Sequence, residues 1–197
     1  MKELKRRSRL AADGPARFLG RLGFTPNGLT VLGSLLTASV GLLVAQGWFI
    51  AAGVCLWLFS LTDTLDGALA RATDRVSVFG AFLDSVCDRY AEAAVFFGLL
   101  WWYQSSGDLL GVVLSYLAIV GSLMVSYARA RAEGVGLQAA DVGWFQRPER
   151  ILLLGLGLLI APLAPGVLLG VLAALAVLTT VTVLQRVMHV ARTSQRR

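Results

Sequence analysis

The sequence predicts an all-α integral membrane protein, with six transmembrane helices behind an N-terminal juxtamembrane amphipathic helix. Three observations lead there. Hydrophobic residues make up 56% of the 197 positions and charged residues only 15%, against roughly 25% charged in a soluble domain. Six apolar runs approach the length of about 20 residues that a helical span requires. Threading the chain through those runs puts all 18 Lys and Arg on one side of the membrane, as the positive-inside rule demands. Dropping any one run would scatter the basic residues over both sides, so the charge pattern supports the count independently.

Taken in order, the stretch 1–26, "MKELKRRSRLAADGPARFLGRLGFTP", mixes seven basic residues with Leu and Phe. It reads either as a helix on the inner membrane surface, drawn to anionic lipid, or as a solvated topology signal. It lacks the short apolar run and cleavage site of a signal peptide. Pro26 and Asn27 form a helix-start pair. The predicted spans then run from Leu29 to Ala45, Trp48 to Ala70, Gly80 to Tyr103, Leu109 to Arg129, Ile151 to Leu163 and Gly166 to His189. The breakers "AQGW", "QSSGD" and "APLAPG" separate them on the side that carries no basic residue. With no long linker or repeat, the chain divides into the basic segment 1–26 and one transmembrane domain, 27–197. Both termini are expected on the cytoplasmic side of the inner (cell) membrane. The net charge of +6 therefore reflects topology, and no nucleic-acid partner is expected. Cys55 and Cys87 fall inside spans without a neighbouring histidine and read as packing residues. His189 reads as a helix-end residue.

The segment "DTLDGALARATDRVSVFGAFLDSVCD" holds five aspartates between runs apolar enough for lipid. Residues three or four apart share a helix face. Asp63 and Asp66 thus project together from the end of the second span, and Asp84 and Asp88 from the start of the third. The short return between the spans makes them antiparallel neighbours, with both acid pairs near the cytoplasmic interface. Four clustered carboxylates repel one another, and a hard divalent cation relieves that repulsion. Carboxylate oxygens without Cys or His suit Mg²⁺, Ca²⁺ or Mn²⁺, and four of them suffice for two ions. The bland alternative is salt bridging to Arg71, Arg75 and Arg89. Gly67, Ala70 and Gly80 keep the surroundings small, leaving room for a bulky ligand. Arg71 follows as a forked phosphate donor. Paired metals beside an arginine are equipment for phosphoryl transfer.

These residues resemble a known family. Asp63, Asp66, Gly67, Ala70 and Arg71, followed by Gly80, Asp84 and Asp88, are similar to the signature of the CDP-alcohol phosphotransferases, whose core is six helices. The resemblance implies that Asp63, Asp66, Asp84 and Asp88 hold two ions of Mg²⁺ or Mn²⁺, and that Asp88 also acts as general base. It implies that Gly67 and Arg71 meet the CDP diphosphate. It likewise assigns Asn27 and Thr30 of "PNGLT", together with Ser77, to the nucleotide, and it suggests a homodimer.

The second half of the chain bears on the acceptor. Arg129, Arg131, Arg147, Arg150 and Arg186 reach the same membrane face as the aspartates, and an arginine cluster suits a substrate that carries its own phosphate. "SYARARAE", "RPERILLLGLG" and "VLQR" resemble the phosphatidylinositol-phosphate synthases within that family. The implied reaction joins CDP-diacylglycerol to inositol phosphate, releases CMP and contributes to phospholipid biosynthesis. Asp84-Ser85 and Asp88-Arg89 differ from the Asp-Pro-x-x-Asp-Lys of phosphatidylglycerophosphate synthases. Alternatives are the same chemistry with glycerol 3-phosphate or an archaeal-type lipid donor, an intramembrane prenyltransferase, and a divalent-cation transporter. Transporters bind near the midplane, whereas these acids lie near one interface.

Overall fold

A computed structural model of the chain describes residues 14–16, 18–137, 139, 142–164 and 166–195. In order, its helices are α1 (Pro26–Ala45), α2 (Phe49–Ser60), α3 (Thr62–Ala72), α4 (Val78–Ser105), α5 (Leu109–Gly134), α6 (Arg147–Ile160) and α7 (Val167–Ser194). No strand occurs among the described residues. Pro26–Ala45, Phe49–Ala72, Leu109–Gly134 and Val167–Ser194 are each long and apolar enough to cross a membrane. The chain is therefore an all-α, multi-pass membrane protein. The other two predicted spans differ in kind. α4 has 28 residues but carries Asp84, Asp88, Arg89 and Glu92 within its first fifteen. α6 has 14 residues, about 21 Å at roughly 1.5 Å per residue, short of a hydrocarbon core of about 30 Å. Both are packed into the bundle, α4 between α1 and α5, and α6 between α2 and α7.

Lipid supplies no hydrophobic drive to bring helices together, so close approach through small residues does that work. α1 and α4 run parallel in a fixed register. Ser34 Oγ donates to the Cys87 carbonyl at 2.8 Å, 53 positions away. Asn27 beside Gly80, and Gly41 beside Ala94, keep the same offset. At Gly98 a Cβ would lie 2.8 Å from the Gly41 Cα, so the two backbones meet with no room for a side chain. Gly98→Leu is expected to lower stability by about 1–3 kcal/mol, the usual cost of overpacking. Thermal unfolding in detergent measures this, and an unchanged midpoint would mean the contact is slack. On the far side of the bundle, Gly155 of α6 lies against the indole of Trp57 on α2, and Gly121 of α5 against Thr179 of α7. Val40, Leu56, Phe96, Leu99, Leu158 and Leu172 fill the core between them.

Local chemistry fixes the helix starts. The α1 cap is Thr25, whose Oγ1 accepts from Gly28 N at 3.1 Å, one residue before the pair singled out in the sequence. Ser77 caps α4 through Gly80 N at 3.0 Å, and Asp108 caps α5 through Gly111 N at 3.0 Å. Such caps satisfy amide donors that the first turn leaves unpaired. The second predicted span is broken at Leu61 into α2 and α3. Ser60 and Thr62 turn their hydroxyls onto the carbonyls of Trp57 and Phe59, a back-bonding that bends helices. Of the basic N-terminal segment, residues 14–16 and 18–21 are helical. Ala16 is fully buried in a cluster with Leu29, Ala68 and Leu69, so this part docks on α1 and α3. The amphipathic-helix reading of residues 1–13 lies outside the described residues.

Candidate active site

α3 and α4 are antiparallel, as the sequence predicts, but they do not pack along each other. α1 lies against both and forms the floor of the gap between them. This spacing leaves a cleft of about 380 Å³ lined by Asn27, Thr30, Asp66, Gly67, Arg71 and Asp84. Ser77 and Gly80 line it as well. The chain reaches α4 from α3 through Asp74, a non-glycine residue with φ +53°; Asp tolerates the left-handed region better than most residues.

The four acids are not held alike. Asp66 is buried, and its Oδ2 accepts from Thr30 Oγ1 at 2.7 Å. Thr30 thereby ties α1 to α3 and fixes the carboxylate direction. Asp63 pairs with Arg147 through Nη1, and Asp88 with the same guanidinium through Nη2 at 2.9 Å. The salt-bridging alternative named Arg71, Arg75 and Arg89, yet Arg147 from α6 is the partner the fold supplies. Arg89 instead donates to the carbonyl of Ser85. Asp84 stands in the wall between the nucleotide-sized cleft and a second, larger cavity.

That second cavity has a volume of about 960 Å³, and its basic lining comes from Arg89, Arg129, Arg147, Arg150 and Arg186. Four of the five arginines predicted for an acceptor phosphate therefore converge. The fifth, Arg131, does not. It lines an adjoining, largely apolar groove with Met124, Tyr127 and Val187, because residues two apart on a helix point to different faces. Arg129 is ion-paired to Glu133 at 3.0 Å. Arg186 is buried and donates to the carbonyls of Val142, at 2.9 Å, and Val125. Arg150 is 1% exposed and forks onto Glu92, Nε at 2.6 Å and Nη2 at 2.9 Å, with Nη1 left unpartnered. Glu92 went unremarked in the sequence. Its signal was present, since it lies one turn beyond Asp88 on the same stripe of α4, amid alanines and valine. Cys55 and Cys87 are free and half-buried, as packing residues would be.

The donor set is all oxygen, which suits hard divalent ions: Asp66 and Asp84 line the first cleft, Asp84 and Asp88 the second, and Asp63 joins them through Arg147. The guanidinium of Arg147 stands in as positive charge between two of them. Among the described residues no three acidic, histidine or cysteine side chains converge on one point.

An all-helical membrane bundle with aspartates from two helices at the junction of two cavities is the arrangement that the resemblance to the CDP-alcohol phosphotransferases implies. The model of the CDP-alcohol phosphatidyltransferase family matches residues 24–184, and the chain belongs to that family of enzymes. Among named relatives, it is 41% identical over 184 residues to the phosphatidylinositol phosphate synthase of Mycobacteroides abscessus, covering 91% of this chain and 82% of that one. It is also 41% identical over 173 residues to the archaetidylinositol phosphate synthase of Pyrococcus horikoshii, covering 86% and 85%. The phosphatidylinositol phosphate synthase of Mycobacterium tuberculosis, solved with CDP-DAG bound, superposes with a TM-score of 0.84 at 36% identity, over 91% of this chain and 92% of that one. The same enzyme in complex with manganese and citrate superposes with a TM-score of 0.85, over 91% and 88%.

Proposed function

We propose that the protein transfers the phosphatidyl group of CDP-diacylglycerol to inositol phosphate, forming phosphatidylinositol phosphate and releasing CMP. The observation that carries this reading is the junction of two cavities at Asp84. One is nucleotide-sized and holds Arg71 and small residues; the other is basic. A donor diphosphate and an acceptor phosphate would then meet at the aspartates. The inositol phosphate synthases among the relatives, and the relative that binds CDP-DAG, support the same assignment.

In this reading Asp63, Asp66, Asp84 and Asp88 hold two ions of Mg²⁺ or Mn²⁺, in line with the manganese complex of the Mycobacterium tuberculosis relative. When bound, the ions neutralise pyrophosphate charge and stabilise the departing CMP. Thr30 orients Asp66. Asn27, Gly67, Arg71 and Ser77 receive the nucleotide and its diphosphate, Gly67 by leaving its backbone open to close approach. Arg129, Arg147, Arg150 and Arg186 hold the acceptor phosphate, charge-assisted and forked. Asp88 takes the proton of the attacking hydroxyl, whose oxygen then joins the β-phosphorus in line.

The chain as a whole is read as six spans in the inner membrane, with α4 and α6 crossing inside the bundle. Both termini and the active site face the cytoplasm, residues 1–26 form the basic juxtamembrane segment and 27–197 the catalytic domain, and the enzyme works as a homodimer. Support for the orientation comes from the one-sided distribution of Lys and Arg.

The test is CMP release by purified protein with CDP-diacylglycerol, Mn²⁺ and a panel of acceptors. Release with inositol phosphate, but not with inositol or glycerol 3-phosphate, is the expected result. Release driven by glycerol 3-phosphate would reassign the acceptor, and no release with any acceptor would overturn the reading.

A further inference from the structure

Arg150 and Arg147 stand three residues apart and are held in opposite ways. Arg150 forks onto a single carboxylate, Glu92, from a fully buried position. Arg147 instead spreads its two terminal nitrogens over two acids from different helices, Asp63 and Asp88, while its Nε is buried without a partner. Arg147 is also the first residue of α6. A helix N-terminus carries partial positive charge, so a cation there depends on outside acids. Its side chain lines the basic cavity beside Arg129, Arg150 and Arg186, so a guanidinium released from the acids has space to enter.

We infer that Arg147 is the resident counter-cation of the acid cleft. Divalent metal displaces it from Asp63 and Asp88 into the basic cavity, so that metal loading and capture of an acceptor phosphate are coupled through one side chain. The inference rests on the reading of the aspartates as metal ligands. The carboxylate oxygens that Arg147 now occupies are those a metal would use, and a guanidinium and a divalent ion cannot share them without strong like-charge repulsion. Until metal arrives, the guanidinium offsets the mutual repulsion of the acids. Once displaced, it adds a forked donor to the cavity where the acceptor phosphate is proposed to bind. Because coupling between two ligands is reciprocal, an oxyanion in the basic cavity draws Arg147 away and strengthens metal binding by the same factor.

The experiment is calorimetric titration of purified full-length protein with Mn²⁺, with and without sulfate as a soluble tetrahedral dianion. R147Q is expected to bind Mn²⁺ at least about fivefold more tightly than the wild type, the lower end of usual coupling strengths. Sulfate is expected to tighten Mn²⁺ binding by the wild type, with that gain much reduced in R147Q. Unchanged or weaker Mn²⁺ binding by R147Q would overturn the inference, as would a sulfate effect of full size in that variant. If R147Q fails to fold, R147K decides: lysine cannot fork across two carboxylates, so Mn²⁺ binding tightens by a smaller factor, and no tightening overturns the inference. Absence of saturable Mn²⁺ binding by the wild type is a separate outcome. It would remove the metal reading of the aspartates, and this inference with it.

Discussion

Asp88→Asn is expected to lower the rate of CMP release by about 10²–10⁴-fold, the range a positioned general base contributes. Asparagine keeps the shape of the side chain and its place on α4, but it neither accepts a proton at neutral pH nor offers a full charge to a cation. Asp88 pairs with Arg147 at 2.9 Å and borders the basic cavity, so it lies on the acceptor side of the junction, where the attacking hydroxyl is proposed to arrive. Asp66 lies on the nucleotide side, fixed by Thr30. The substitution should leave the thermal midpoint in detergent close to that of the wild type, because the partner of Asp88 is a charged group with access to a cavity. Turnover within tenfold of the wild type would exclude Asp88 as the base.

Arg150→Met is expected to destabilise the protein by about 3–5 kcal/mol, the cost of leaving a buried charge without its partner. Glu92 is held by both Nε and Nη2 of Arg150, and the arginine is 1% exposed. Removing the guanidinium strands a carboxylate among Val95, Phe96 and Leu154, which line the small cavity beside the pair. Replacing both residues, as in E92M with R150M, should recover much of the loss, since apolar pairs of similar volume often substitute for buried ion pairs without penalty. Thermal unfolding of the three variants in detergent reads this out. A single variant as stable as the wild type would show that the Arg150–Glu92 pair does not support the fold.

The aspartates were legible in the chain because helical spacing alone puts Asp63 with Asp66 and Asp84 with Asp88, and because acids are rare among runs this apolar. The breakers and the one-sided basic residues marked the helices in the same way. What stayed hidden was pairing across the bundle. Arg71, Arg75 and Arg89 were nearer in sequence to the acids, yet Arg147, 84 positions beyond Asp63, holds two of them. Arg129 and Arg131 looked equivalent in sequence, but only Arg129 turns to the basic cavity.

The sequence by itself determined the class of protein, the helices and the acidic motif, because composition, periodicity and spacing act within one segment at a time. The tertiary structure decided that α1 lies between α3 and α4, opening a cleft where direct packing was expected, and that Arg150 belongs to Glu92. The physical reason is that contacts of this kind depend on which small residues let which backbones meet, as Gly41 meets Gly98 and Gly33 meets Thr62. Such fits are properties of two surfaces together, and neither segment encodes them alone.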